Sequence, residues 1–408
     1  MTFEELYENL VQESVSGKKK TLSDYDPHHL DCLLHPEKYP PVIRTEPCEN
    51  FECDSACKRS CIYDAITDDG KGGLKIDPSL CVGCSACIEA CNSGRLTASR
   101  DILPAMKALR DAKGPVYAMI APAFIGQFSD EVTPGKLRSA FKALGFFGMV
   151  EVALFADILT MKEALEFDAN INSDEDFQLT SCCCPIWIAM IRKVYHELMP
   201  HVPGSVSPMV ACGRVIKALY PDAVTIFVGP CLAKKSEAKE PDIADAVDFV
   251  LTFQEVMDIF HAAEINPAAL PESERYHSSR AGIIYARTGG VSEAVSRTVE
   301  RFDPDRKIKI RTRQADGVAA CREMISKLQK GEIDGNFFEG MGCVGGCVGG
   351  PKAVIDKEQG RIRVNEYADK AAYQIPPENP YVIELLHRLG FDTVEELLEK
   401  SDIFTRHF

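Results

Sequence analysis

Cysteine placement constrains this chain more than any other feature. It has 17 cysteines in 408 residues, and most lie in tight groups. The last group is Cys343-Val-Gly-Gly-Cys347, inside Glu339-Gly-Met-Gly-Cys-Val-Gly-Gly-Cys-Val-Gly-Gly350. Two thiolates four residues apart, interleaved with glycine, let backbone wrap closely around a bulky inorganic cluster, because glycine alone tolerates the positive φ angles such a wrap demands. Two further motifs, Thr180-Ser-Cys-Cys-Cys-Pro185 and Gly229-Pro-Cys-Leu-Ala-Lys-Lys235, lie upstream. Together the three read as one cluster site assembled from distant segments.

With 45% hydrophobic and 26% charged residues the chain reads as a soluble globular protein of two or three domains. A formal net charge of −15 disfavours a nucleic-acid partner, since nothing would neutralise phosphates broadly. The acidic start lacks the basic-then-apolar order of a signal peptide. No apolar run approaches the ~20 residues of a membrane span. A cytoplasmic chain is expected, and there clustered cysteines are metal ligands rather than disulfides.

The texture divides the chain into four parts. Residues 1–45 are polar and read as a poorly packed arm or short helix. Residues 46–98 are cysteine-dense with little hydrophobic periodicity, as in a small α+β domain held by clusters. From 99 to 352, apolar strands at 116–121, 150–155, 224–228 and 282–285 alternate with helices at 134–144, 158–167, 186–198, 208–219 and 291–301. That alternation predicts an α/β fold with parallel sheets in two lobes around a buried cluster. The cysteine motifs follow strand ends or open helices, where such sheets place ligands. Residues 353–408 form a tail with helices near 380–389 and 393–400, packed on the preceding domain.

Cys81-x2-Cys84-x2-Cys87-x3-Cys91 has the bacterial ferredoxin spacing, in which three close cysteines grip one [4Fe–4S] cube and the fourth reaches another. Four cysteines in this run also argue against a structural zinc site. Asn92 stands where a proline usually follows. The partner run, Cys48-x4-Cys53-x3-Cys57-x3-Cys61, has stretched early spacings, and its end resembles the ferredoxin ending. The resemblance implies one cube on Cys48, Cys53, Cys57 and Cys91, and a second on Cys61, Cys81, Cys84 and Cys87. Two cubes in series make an electron wire.

The ordered set Thr-Ser-Cys-Cys, Pro-Cys-x-Ala-Lys-Lys and Glu-x-Met-x-Cys-x-Gly-Gly-Cys, behind a two-cluster ferredoxin domain, resembles the [FeFe]-hydrogenases from about residue 46 to 352. The triple cysteine and the closing Cys-Val-Gly-Gly-Pro are more similar to the group B branch. The resemblance implies an H-cluster, a [4Fe–4S] cube joined through one cysteine to a diiron unit with CO, cyanide and azadithiolate. The implied cube ligands are Cys183, Cys231, Cys343 and Cys347, with Cys347 the bridge and Cys182 the proton relay facing the diiron unit. Aligned from Pro185 instead, relay and ligand become Cys183 and Cys184. By the same resemblance Lys234 and Ser207 bond the cyanides, Met341 packs on the diiron unit, and Glu163 and Glu166 carry protons. The two glutamates share one helix face at i, i+3 spacing. Pro203 stands where the family joins them with a serine, so water or another residue must serve. Gly229 stands where a methionine usually lines the pocket and is expected to leave space.

The implied activity is reversible reduction of protons to H2, fed by ferredoxin or a similar carrier, with dedicated maturation proteins installing the diiron unit. A hydrogen sensor and a non-catalytic iron–sulfur scaffold are the competing readings. Cys182 and Lys234 serve only the diiron unit, which favours the enzyme. Cys32, Cys212 and Cys321 are expected to be structural, and Cys184 to be a small buried group under the first alignment. His28 and His29 are expected at the surface, Lys235 as a surface or outlying charge, and Trp187 in the core.

Overall fold

The structure is a computed structural model that describes residues 1–18, 22–48, 55–70, 73–180, 183–273, 275–400 and 402–408. Its described strands are β1 (Val42–Arg44), β2 (Ile66–Asp68), β3 (Leu74–Ile76), β4 (Leu96–Ala98), β5 (Val116–Ile120), β6 (Gly148–Glu151), β7 (Gln178–Leu179), β8 (Val224–Gly229), β9 (Phe249–Thr252), β10 (Thr312–Asp316) and β11 (Phe337–Met341). They form two parallel sheets, ordered β6-β5-β8-β9 and β10-β11-β7, and two antiparallel pairs, β1 with β4 and β2 with β3. The antiparallel pairs bracket the cysteine-dense segment, which draws its first strand from residues 42–44.

Every residue of β5 and of β11 is buried, as expected for parallel strands covered on both faces. All three deep cysteine motifs begin where a parallel strand ends: after β7, after β8 and after β11. That is the end of an open α/β sheet where ligands sit.

Two of the expected strands differ. The apolar run at 282–285 belongs to a helix, Arg280–Ile284. A short apolar run carries no period that separates buried strand from buried helix. The run at 150–155 is split: β6 ends at Glu151 and the helix Ala153–Asn170 starts two residues later. This helix is buried nearly all round, so its polar residues need partners inside the protein. Asp157 accepts from Ser279 N at 2.7 Å, Ser279 Oγ at 2.5 Å, Gly282 N at 2.8 Å and Asn379 Nδ2 at 3.3 Å. The misread segment is therefore a helix start pinned by a buried carboxylate.

The N-terminal segment is not a loose arm. Phe3–Ser16 is a helix opened by a capping box between Thr2 and Glu5. It buries Phe3, Leu6, Tyr7 and Val11 against the main core. A second helix, Pro27–Leu34, buries His29 rather than exposing it; His29 Nε2 lies 2.6 Å from Thr45 O.

Beyond the second sheet, Lys357–Ala368, Pro380–Arg388 and Glu396–Glu399 are helices, the first of them unforeseen because its face is largely polar. Val364, Val382, Leu386, Leu397 and Phe404 join the main core. Residues 404–406 then run beside 204–206: Val206 N donates to Phe404 O at 3.1 Å and Arg406 N to Gly204 O at 2.8 Å. No described helix is long and apolar enough to cross a membrane.

Candidate metal centre

The cysteines fall into three sites, two of them lining cavities. The first is lined by Cys48, Cys57 and Cys91 with Arg44, Ile66, Leu74 and Leu96. Cys53, expected beside them, lies outside the described residues. The second is lined by Cys61, Cys81, Cys84 and Cys87, with Val42, Tyr63 and Ile76. Burial pushes the Cys81 thiol up to about 11 and raises Cys84 and Cys87 as well. Among the described residues no three His, Cys, Asp or Glu side chains converge closely enough to hold a single metal ion. The cysteines ring cavities instead, which suits a bulky cluster.

The third site lies where β7, β8 and β11 end. Cys184 stands at the N-cap of the helix Pro185–Val194, and its sulfur accepts from Gly342 N at 3.2 Å. Burial, then the neighbouring Cys183 and Cys231, raise its thiol to about 12. Cys343 is raised by burial, then by Cys231, Cys184, Cys347 and Cys84. Cys347 is raised by burial, then by Cys183, Cys231 and Cys184, and is opposed by the Lys234 charge. Five cysteines thus face one another where the strand ends meet. All five residues are partly buried. Gly345 and Gly346, between Cys343 and Cys347, take φ of 87° and 82°, the turn that glycine permits. Cys182 lies outside the described residues.

Lys234 is buried beside these sulfurs. Burial works against its charge, but Glu237, hydrogen-bonded at 2.6 Å, and the Cys231 and Cys347 thiols raise its pKa. Ser207 caps the helix Pro208–Leu219, its oxygen accepting from Val210 N, which leaves its own O–H for another partner. Met341 is fully buried at the end of β11. Gly229 leaves no empty space: a Cβ there would meet the Phe227 ring at 2.8 Å and Ala121 Cβ at 3.1 Å. Trp187 is buried and donates Nε1–H to Thr180 O at 3.0 Å, tying the cysteine loop to its own helix.

The second and third sites abut. Gly83, between Cys81 and Cys84, takes φ of 78° and lies against the loop after Cys231; a Cβ would sit 3.1 Å from Ala233 Cα and from Leu232 O. Tyr63 Oη donates to Ile186 O at 3.0 Å, and Ser236 Oγ to Cys81 O at 3.1 Å. Lys235 is fully buried rather than at the surface, and pairs with Asp101 at 3.2 Å and Glu255 at 3.3 Å.

Residues 114–351 match the family model for the C-terminal domain of the iron-only hydrogenase large subunit, and residues 74–91 match a 4Fe-4S binding domain. The chain belongs to the iron-only hydrogenase family. It is 27% identical over 374 residues to the NADP-reducing hydrogenase subunit HndD of Solidesulfovibrio fructosivorans, covering 77% of this chain and 64% of that protein. To iron hydrogenase 1 of Clostridium pasteurianum it is 28% identical over 300 residues, covering 63% of this chain and 52% of the relative. The chain thus spans between half and two thirds of these relatives' length. To the nuclear prelamin A recognition factor of Mus musculus it is 20% identical, covering 75% of this chain and 80% of that protein. A solved structure recording stepwise [FeFe]-hydrogenase H-cluster assembly shares the fold with a TM-score of 0.63 at 24% identity, covering 76% of this chain and 98% of that one. A variant of [FeFe]-hydrogenase HydA1 from Chlamydomonas reinhardtii gives 0.62 at 23%, with the same coverage.

Within this hydrogenase-type fold, Glu163 and Glu166 lie on the buried helix Ala153–Asn170, both enclosed. The main-chain oxygen of Glu163 accepts from Gln178 Nε2 at 3.4 Å. Glu166 pairs with Lys162, one turn back, and Ser205 Oγ lies 3.2 Å from both its oxygens. Neither Lys162 nor Ser205 stood out in the sequence, although an i, i+4 Lys–Glu pair is a readable signal. Cys212 and Cys321 are fully buried, and Cys321 donates to Met341 O at 3.4 Å, which fits packing roles.

Proposed function

We propose that this chain is a hydrogenase that interconverts protons, electrons and H2, drawing electrons through two [4Fe–4S] cubes from ferredoxin or a similar carrier. The observation that carries this reading is the convergence of five partly buried cysteines and a charged, buried Lys234 at the strand ends, next to two further cysteine-lined spaces. The donor set fits an iron–sulfur cluster: enclosed thiols resist ionisation alone, whereas bound iron takes them as thiolates. When bound, the diiron unit, joined to a cube through Cys347, supplies the making and breaking of the H–H bond.

The outer cube falls to Cys48, Cys53, Cys57 and Cys91, and the inner one to Cys61, Cys81, Cys84 and Cys87. For the deep cube the reading here is Cys184, Cys231, Cys343 and Cys347. The Gly342 N–H aims at the Cys184 sulfur, and it faces Cys231 and Cys343, which supports the alignment from Pro185. Cys183, beside Cys347, then faces the diiron unit as proton relay, in place of Cys182. Lys234 and Ser207 offer N–H and O–H donors to the cyanides, and Met341 keeps the pocket dry. Glu163 and Glu166 carry protons. Residues 46–98 form the electron-entry domain and 99–352 the catalytic domain, with 1–45 and 353–408 packed around them. Maturation proteins deliver the diiron unit.

The test is an infrared spectrum of protein matured with the diiron cofactor, alongside Cys182→Ala, Cys183→Ala and Cys184→Ala. Sharp CO and cyanide bands with H2 production support the reading. Cys183→Ala should keep the bands and lose H2 production, and Cys184→Ala should lose the deep cube. Loss of turnover with intact bands in Cys182→Ala alone restores the first alignment. Bands without turnover in the unaltered protein point to a sensor, and no bands with intact iron–sulfur absorbance point to a scaffold.

A further inference from the structure

Pro203 cannot carry a proton through its side chain, yet the helix Ala153–Asn170 holds two enclosed glutamates beside it. The structure offers a hydroxyl two residues on. Ser205 Oγ is 3.2 Å from both Glu166 oxygens and 2.8 Å from Lys162 Nζ, and Lys162 also contacts Glu166 directly. All three are at least nine-tenths buried. Residues 404–406, paired to 204–206, hold the loop that presents Ser205.

We propose that Lys162, Ser205 and Glu166 hold and hand on one proton as a unit, with Ser205 supplying a hydroxyl link between Lys162 and Glu166. The direction of travel rests on the hydrogenase reading; the coupling of the three groups does not. The step is balanced within the triad. An N–H bond of Lys162 breaks as an O–H bond forms on Ser205, whose former proton passes to a Glu166 oxygen. The ion pair becomes a neutral pair, no electrons change hands, and no net charge is buried or released. A low-dielectric site makes such a shift feasible, because burial penalises both charges of the pair. Burial raises the Glu166 carboxyl, while the Lys162 charge and hydrogen bonds from Lys162 and Ser205 lower it. Charged groups on the packed neighbours are engaged elsewhere: Arg406 with Glu240 and Asp242, Arg214 with Asp245, Arg306 with Asp168, and Arg280 and Arg287 with Glu293. Glu163 is the other titratable group on this stretch of the same helix.

The first measurement needs no diiron unit. The Glu166 carboxyl band is followed by infrared difference spectroscopy against pH in protein carrying its iron–sulfur clusters, and is assigned by its loss in Glu166→Gln. Lys162→Met should move the titration up by about one pH unit or more, since a neighbouring cation is lost. Ser205→Ala should move it up by less, and Lys162→Arg should leave it in place. An unmoved titration in Lys162→Met and Ser205→Ala overturns the proposal. If Lys162→Met does not fold, Ser205→Ala decides alone. In matured protein, Ser205→Ala should slow H2 evolution about a hundredfold, the low end of what a positioned proton carrier contributes, with CO and cyanide bands unchanged. Wild-type rate in Ser205→Ala overturns the relay and directs attention to the cavity of about 250 Å³ beside Pro203, lined by Asp176, Gln178 and His201. Absence of turnover in the unaltered protein sinks the hydrogenase reading alone, and the carboxyl titration still decides the coupling.

Discussion

The cysteine-dense segment and the parallel-sheet lobes solve the same problem, holding inorganic clusters, in opposite ways. In the first, the described strands are three residues long, and the cysteines themselves are a large part of the packed interior: Cys57, Cys81 and Cys87 sit with Val42, Ile66, Leu74 and Leu96. Little apolar surface is available to stabilise it without its clusters. In the second, β5, β8 and β11 lie in continuous apolar packing, and the cysteines line a space at the edge of a core that is complete without them. One region should fold with its metal, and the other should present a preformed site to it.

The largest expected effect follows from that contrast. Protein prepared without iron should lose amide-exchange protection across 56–98 while keeping it in β5, β8 and β11. Equal protection in both regions breaks the comparison. Next is a buried ion cluster inside the second region: Lys235 is fully buried and joins Asp101, at the start of the helix Ile102–Asp111, to Glu255. Lys235→Met strands two buried carboxylates and should cost about 3–5 kcal/mol in denaturant unfolding of the holoprotein. A change under 1 kcal/mol would mean that the preformed core does not depend on this cluster. Gly83→Ala should cost about 1–2 kcal/mol for its left-handed backbone alone, and more for its contact with Ala233. If the proposed function holds, slower electron transfer from the cysteine-dense segment to the deep site in this variant, with unchanged iron content, would sharpen the comparison.

The smallest effect concerns a cost inside the preformed core. Burial raises the Asp157 carboxyl to about 7 from 3.8, so the folded chain binds a proton that the unfolded chain releases. Its contribution is fully present below about 4 and is lost as pH rises through about 7. The stability difference between the wild type and Asp157→Asn should therefore drift against the wild type across that window in thermal or denaturant melts. A difference independent of pH would show that the four hydrogen bonds keep Asp157 ionised throughout.

The lobes were the more legible region. Runs such as 116–121 and 224–228 read as strands because burial on both faces leaves them apolar throughout, and the helix 208–219 was announced by Ser207-Pro208. The cysteine spacings separated the two N-terminal groups that the structure gathers around separate cavities. Legibility failed where one short segment fits two partners. Gly282-Ile-Ile-Tyr285 is apolar enough for a strand, and only the distant Asp157 makes it a helix. The helix Phe3–Ser16 carried a readable Thr2–Glu5 capping box, but its docking surface on the Phe253–Ala262 helix is contributed from far along the chain. Ser205 was unreadable for the same reason: its meaning depends on Lys162 and Glu166, some forty residues earlier, and on the segment 404–406 that presents it.

Trp187 gives the deep centre an optical voice. It is the sole tryptophan of the chain, three residues past Cys184, and its indole N–H bonds the Thr180 carbonyl that leads into the cysteine loop. Emission excited at the indole band therefore originates beside one site alone. Iron–sulfur chromophores absorb where indole emits, so assembly of the deep cube should darken the protein. Filling of that site could then be timed in a fluorimeter, with no label attached and no residue replaced.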